Sequence, residues 1–396
     1  MDETMISKLS RFLALGLLAA TVGTAASAGE ISQEPNRDAA HPAATAAKEH
    51  GTATFDQLWK APTVFKSDES HVLNELRIVG RLHLDNYVVD SRTVDDSDFV
   101  ARRARLGLKA RMFDRLEAQV EGDFNLEGGP LYIRLTDAWL AWKFSDAARL
   151  TVGKQAVKFT LDGATSSNEL FTPERSNVAN NLWFPEEYLP GVSLSGKSGP
   201  WTYTAGVYSG GRVGSEFGNF KGGYVVLASA GHDFAGDLGT KRALLRADYV
   251  YNDPDPDSNL TRPFRHVGSL VFVLDDERWG FSGEFTAAKG FGQQSDVLGV
   301  TAMPWVSLTK RLQLVARYSF LKSDGRNGLR LGRYENVATR GRGDRNQELY
   351  GGLNYYIYGH KLKLQTGINY SRMRDRANDG GAYRGIGWVT ALRLSW

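Results

Sequence analysis

Hydrophobic and polar side chains alternate along most of this chain. The closing residues show the pattern clearly. Trp388, Thr390, Leu392, Leu394 and Trp396 share one face, and Val389, Ala391, Arg393 and Ser395 share the other. Period two belongs to an extended strand with different surroundings on its two sides. Sixteen segments carry it: 77–89, 99–112, 115–126, 131–143, 149–158, 190–198, 200–208, 222–233, 242–251, 265–275, 277–288, 296–308, 310–321, 347–358, 361–373 and 386–396. The connections between them alternate in length. Phe113-Asp114, Gly199 and Gly359-His360 are short, whereas 159–189, 209–221, 252–264, 322–346 and 374–385 are long. Short turns at one rim and long loops at the other are the asymmetry of an outer-membrane barrel. The pattern therefore predicts an all-β fold, a transmembrane antiparallel β-barrel of sixteen strands over residues 76–396. The connection 127–130 is unusually short for its rim, and 234–241 is long for its rim.

Composition sharpens the picture at three points. Lys8 and Arg11 precede an apolar run from Phe12 to Ala20, and Ala26-Ser27-Ala28 offers a small-residue cleavage site. Residues 1–28 read as a signal peptide, with Met5 an alternative start. The charged, Ala- and Pro-rich stretch that follows predicts a disordered or weakly ordered periplasmic segment over 29–75, with order beginning near Phe55 to Trp59. After Ala28 no apolar run reaches membrane-helix length, but a barrel strand needs only about 9–11 residues, half of them polar. The 396 residues contain no cysteine, which excludes disulfides, thiolate metal sites and cysteine nucleophiles. The net charge is only +3, so any charge preference must come from placement.

Parity places the charges. In 99–112, Ala104, Leu106, Leu108, Ala110 and Met112 face lipid, and Arg103, Arg105, Lys109 and Arg111 face the lumen. A cation on the lipid side would cost about 2–4 kcal/mol at mid-depth. The same reasoning puts Arg77, Arg81, His83 and Asp85 inside, with Arg246 and Asp248, Arg311, Gln313 and Arg317, and Lys361, Lys363, Gln365 and Asn369. Strand 115–126 offers Glu117, Glu121 and Asp123 on its polar face, next to the basic row. Cross-strand pairing and a free anion path are then equally supported. In 149–158, Lys154 and Lys158 share a parity with Leu150 and Val152, which requires a bulge at Gly153 or a different register.

Two loops stand out. Segment 159–189 has Thr165-Ser-Ser-Asn-Glu169 and Pro173-Glu-Arg-Ser176, whose hydroxyls, amide and Arg175 suit a constriction. Its Leu170, Phe171, Leu182, Trp183 and Phe184 need something to pack on, which argues for an inward fold. Segment 322–346 carries seven Arg and Lys against three acids. It suits gathering anions at the mouth, resting on lipopolysaccharide phosphates, or plain solvation. No Gly-x-Ser-x-Gly, paired-His zinc spacing or phosphate-loop glycine pattern occurs. An enzyme reading would need a partner for His83, His232, His266 or His360, and an adhesin reading rests on Arg342-Gly343-Asp344 alone. The expectation is a non-enzyme with no cofactor, no metal and no nucleic-acid partner.

Several stretches together resemble the phosphate-selective porin O and P family of Gram-negative outer membranes. They are Phe99-Val-Ala-Arg-Arg-Ala-Arg-Leu-Gly107, Asp137-Ala-Trp-Leu140, Leu150-Thr-Val-Gly153, Ser166-Ser-Asn168 with Glu174-Arg175-Ser176, Tyr203-Thr-Ala-Gly-Val-Tyr208, Gly352-Leu-Asn-Tyr-Tyr356 and Lys361-Leu-Lys-Leu-Gln365. The resemblance implies a homotrimeric outer-membrane channel whose pore is narrowed by an inward loop and lined by Arg and Lys. Arg102, Arg103, Arg105 and Arg175 match its motifs. Parity sets Arg102 opposite Arg103, toward an interface. The function implied is passive diffusion of small anions, with phosphate or polyphosphate favoured, and a general porin for small polar solutes or organic acids as the alternative. The candidate anion path is Arg81, Arg103, Arg105, Lys109, Arg111, Arg175, Arg246, Arg311, Arg317, Lys361 and Lys363.

Overall fold

In the computed structural model, the described residues are 53–92, 94–182, 188–210, 216–217, 223–255, 262–339 and 341–396. Residues 1–28, read above as a signal peptide, residues 29–52, Trp183, Phe184 and Arg340 lie outside them. A short helix, α1 (Ala53–Leu58), is followed by β1 (Thr63–Lys66). Sixteen longer strands come next: β2 (Leu73–Ser91), β3 (Asp95–Met112), β4 (Leu116–Phe124), β5 (Tyr132–Ser145), β6 (Ala148–Ala156), β7 (Tyr188–Ser198), β8 (Trp201–Ser209), β9 (Tyr224–Asp233), β10 (Arg242–Asn252), β11 (Phe264–Asp275), β12 (Trp279–Gly290), β13 (Val297–Ser307), β14 (Leu312–Ser323), β15 (Arg345–Tyr358), β16 (Leu362–Arg374) and β17 (Tyr383–Ser395).

Each strand from β2 to β17 pairs antiparallel with the next, and β17 pairs back onto β2 with Ser395 opposite Arg81. The sixteen-stranded barrel is closed. Closure is what a bilayer demands, because an open edge would leave backbone N–H and C=O groups unmet in hydrocarbon. The expected faces hold: Leu106, Leu108, Leu314, Tyr318, Leu364, Ile368 and Trp388 are exposed on the outside. Arg103, Arg105, Gln313, Arg317, Lys363, Gln365 and Arg393 are buried inside. No helix among the described residues is long and apolar enough to span a membrane.

The seam is packed closely. Trp396 exchanges backbone hydrogen bonds with Gly80 at 3.1 and 3.2 Å, and a Cβ on residue 80 would sit 2.5 Å from the Trp396 ring. Only glycine admits the terminal ring there. At the short-turn rim, α1 adds a clasp. Trp59 lies 4.8 Å from the Tyr358 ring, its Nε1 donates to the Ser395 carbonyl at 2.7 Å, and Tyr358 Oη donates to Asp56 at 2.6 Å. Strand β1 extends the clasp by pairing with the start of β2.

Two details of register differ from the alternation. The ladders on both sides of β6 run through Gly153 without a shift, so no bulge is present there, although Gly153 has φ +119°. Lys154 keeps the outward parity of Val152 and pairs with Glu216 of the β8–β9 connection at 3.0 Å. The second difference is a bulge that parity missed. His83 pairs with Arg103, and the next residue, Leu84, pairs with Ala101. Arg102 is the extra residue. It does not face outward to an interface but ion-pairs inside with Glu174.

Candidate functional site: a loop-filled lumen and its arginine cavity

We number every connection at the long-loop rim from the chain start, short ones included, so that L3 joins β6 to β7 and L7 joins β14 to β15. L3 turns into the barrel. It opens at Thr160, whose φ of +65° is uncommon for a β-branched residue. The wall holds that residue from both sides: Thr160 N donates to Asp248 at 2.9 Å, and Arg246 Nη2 donates to the Thr160 carbonyl at 2.8 Å. Two short helices follow, α2 (Leu161–Ala164) and α3 (Asn177–Leu182). Leu161 N donates to Glu284 at 2.8 Å.

Four carbonyls of L3 are captured by polar wall residues. Lys363 donates to the Leu170 carbonyl at 2.7 Å, Asn354 to Phe171 at 2.9 Å, Arg393 to Pro173 at 3.0 Å and Arg317 to Glu174 at 2.9 Å. Ser167 accepts from Arg81 at 2.8 Å, and Asn168 Oδ1 meets His83 Nε2 at 3.1 Å. A loop inside a barrel brings backbone polar groups out of water, and each needs a partner. Cationic and amide side chains on the wall supply them. Arg175 braces L3 internally, with Nε on the Asp162 carbonyl at 2.9 Å and Nη2 on that of Thr165 at 3.2 Å.

The candidate residues thus separate into groups. Arg246, Arg317 and Lys363 hold L3 from the wall, and Arg175 holds it from within. Arg81, Lys109 and Arg111 stand on the inner wall with acids at hand, Glu121 at 3.3 Å, Glu117 at 3.7 Å and Glu75 at 3.9 Å respectively. Arg149, which parity had not brought forward, joins Glu117 at 2.8 Å and lies over the Trp139 ring. Arg311 and Lys361 sit at the short-turn rim, partly exposed, Lys361 near the Tyr358 ring.

Arg103 and Arg105 line a cavity of about 290 Å³ together with Arg102, Arg134, Arg333 and Asp123. Asp123 is 3.3 Å from Arg105 and 3.8 Å from Arg134. Glu174 answers Arg102 from the loop side. Among the described residues, five arginines face Asp123 and Glu174 around the cavity. Guanidinium groups cannot be deprotonated in this range, and their planar forks match oxyanions in bidentate fashion. Arg134 escaped the sequence reading, since it stands near a strand end, and Arg333 entered it only as one of the seven cations of segment 322–346.

Glu174 is the acid that sets this edge. Burial works against its ionisation, yet the Arg102 guanidinium beside it holds the carboxyl well below the usual carboxylate range. Because the folded value is depressed, the pair stabilises L3 above the ordinary glutamate range and is lost as pH falls through the folded value. Arg102→Gln is therefore expected to cost about 1–3 kcal/mol at neutral pH, where the pair is intact, and to make the open-channel current noisier than the wild type's there, the difference shrinking as pH falls through the folded value. Planar-bilayer recordings across pH compare the two. Equal noise in wild type and variant at neutral pH rules out a bracing role for this pair.

Other readings find less support here. His83 faces the Asn168 amide, with no hydroxyl or carboxylate hydrogen-bonded to it in the described structure. Asp344 of the Arg-Gly-Asp tripeptide is buried and paired with Arg374 at 3.0 Å and Arg376 at 3.2 Å. Among the described residues no group of His, Asp and Glu is arranged to hold a metal ion.

The family model for phosphate-selective porin O and P matches residues 76–270. No curated protein sequence matches the chain. Among solved structures, the outer membrane channel DcaP of Acinetobacter baumannii has a TM-score of 0.56 at 14% identity, over 84% of this chain and 99% of its own. An anion-selective porin from Comamonas acidovorans has 0.57 at 10% identity, over 81% and 99%. OmpT of Vibrio cholerae in its trimer form has 0.50 at 12% identity, over 81% and 99%. At these identities the likeness concerns the fold. Closed barrel, inward loop and family match agree: residues 76–270 match the phosphate-selective porin O and P family, and the chain is an outer-membrane porin.

Proposed function

We propose that this porin conducts small anions by passive diffusion and favours phosphate or polyphosphate. The observation that carries the reading is the cavity of about 290 Å³ lined by five arginines and one aspartate. An oxyanion entering it sheds part of its hydration, and guanidinium forks replace the lost water. Two like-placed opposite charges at 4 Å are worth about 4 kcal/mol at an effective ε near 20, and Asp123 and Glu174 reduce the net pull. Reduction is useful for transport, because a solute held too deeply does not leave. The anion-selective porin from Comamonas acidovorans shares the fold and is consistent with the reading.

A second reading has its own support. Below the cavity, Arg81, Lys109 and Arg149 face Glu121 and Glu117, which makes that stretch of wall close to neutral. A neutral polar wall suits small polar solutes and organic acids. Phosphate block of chloride current separates the two readings, since a general pore shows none. We further propose that the chain is exported by its N-terminal signal peptide, resides among outer-membrane lipid and lipopolysaccharide, and assembles as a homotrimer, as the trimer form of OmpT does.

The test is the reversal potential in a KCl gradient. The wild type is expected to be anion-selective, and Arg103→Ala/Arg105→Ala to shift the potential toward zero. Cation selectivity in the wild type rejects the proposal.

A further inference from the structure

We propose that L7 is a second constriction element, with Tyr334 as its anchor and Arg333 as the side chain that governs the external entrance. L7 does not stay at the mouth. Leu329, Leu331, Tyr334 and Ala338 are buried in one apolar cluster with Val157, Phe159, Val178 and Leu182 of L3. This cluster lies inside the barrel against wall residues from β2 and from β7 onward.

Polar contacts fix the same arrangement. Arg330 N donates to Asn181 Oδ1 at 2.8 Å, and its carbonyl accepts from Asn177 and Asn181 at 3.0 and 2.9 Å. Tyr334 stacks on Tyr87 with ring centroids 4.3 Å apart and 16° between planes, and its hydroxyl donates to Asp85 at 2.6 Å. Glu335 accepts from Asn369 at 2.7 Å. Between L3 and L7 a cavity of only about 40 Å³ remains. That volume is on the scale of a few waters and leaves little room there for a hydrated anion. The arginine cavity on the β3–β5 side is the larger of the two, and L7 contributes Arg333 to its lining. Arg333 is exposed while its neighbour Tyr334 is buried, so one residue faces the path and the next secures the loop.

This inference rests on the chain being a porin but not on which ion it prefers. The chain has no cysteine, so Arg333→Cys introduces a single thiol. The probe is 2-sulfonatoethyl methanethiosulfonate added from the loop side. The Cys thiolate attacks its sulfenyl sulfur, forms a mixed disulfide and releases methanesulfinate. Single-channel current is expected to fall by at least half in this variant and to stay unchanged in Arg326→Cys, which is exposed on the same loop outside the cavity. Tyr334→Ala is expected to raise unmodified conductance at least twofold, and Tyr334→Phe, which keeps the stack, by less. Should Tyr334→Ala fail to form the barrel, the Phe variant and the thiol measurement decide. Current unaffected by modification at position 333, or a properly folded Tyr334→Ala channel with wild-type conductance, overturns the proposal. Both readouts are conductances, so a failure of anion selectivity would leave them intact.

Discussion

Arg393→Ala is expected to yield a barrel that unfolds at markedly lower denaturant and conducts more current than the wild type. Arg393 and Asp85 are both fully buried, on the last strand and the first strand of the barrel. They ion-pair across the closing seam. The same two side chains hold the inward loops: Arg393 Nη2 donates to the Pro173 carbonyl of L3 at 3.0 Å, and Asp85 accepts from Tyr334 of L7 at 2.6 Å. Removing one partner of a buried pair leaves the other charge uncompensated and costs about 3–5 kcal/mol. Urea unfolding in detergent reads that loss, and single-channel conductance reads the loosened loops. The double variant Arg393→Met/Asp85→Leu separates the two effects. Replacing a buried pair by apolar groups is often neutral or stabilising, so its unfolding midpoint should return toward the wild type. Its conductance should stay raised, because neither the donor to Pro173 nor the acceptor for Tyr334 comes back. A single variant with wild-type midpoint and conductance would exclude a bolting role for the pair.

This pair also shows where sequence reading reaches and where it stops. The alternation at 386–396 placed Arg393 on the inner face, and the alternation at 77–89 placed Asp85 there, because lipid tolerates no charge on the other side. Period two cannot say what occupies the lumen opposite each inner residue. Arg317 and Lys363 were correctly expected inside, but they meet backbone carbonyls of a loop about 143 to 193 residues away in sequence. Only the folded chain brings those carbonyls there.

Arg102 fails for a different reason. A one-residue bulge inverts parity beyond it, and no glycine or proline marks the place in Phe99 to Gly107 before the insertion. The strand ends were legible only within the bilayer. β2 and β3 run on to Ser91 and from Asp95, where Asp90, Asp95, Asp96 and Asp98 carry no lipid-facing pattern. Ladder hydrogen bonds continue there without one. L3 announced its inward course through Leu170, Phe171 and Leu182. L7 did not, since its four buried apolar residues are scattered among arginines at irregular spacing, and their partners on L3 lie far back in the chain.

The charge-conserving variant Arg103→Lys/Arg105→Lys is the sharpest probe of phosphate preference. Positive charge at the cavity is retained, so the reversal potential in KCl should change little. What changes is geometry. A guanidinium presents two parallel N–H groups to two oxygens of one anion, whereas an ammonium is a compact, strongly hydrated point charge. Chloride has no second oxygen for the fork to grip and should lose little. Arg105 also holds the Tyr188 hydroxyl at 2.6 Å while standing 3.3 Å from Asp123, and one ammonium on a longer unbranched stem cannot serve both with the same reach. A hydrogen bond to a charged group contributes about 1.5–3 kcal/mol. At roughly 1.4 kcal/mol per decade, losing one such bond at the cavity should weaken phosphate block of chloride current by about tenfold or more. Phosphate titration of the chloride current in wild type and variant measures the ratio. Equal block in both would mean that the arginines act only through their field, and the pore would then select anions without recognising phosphate.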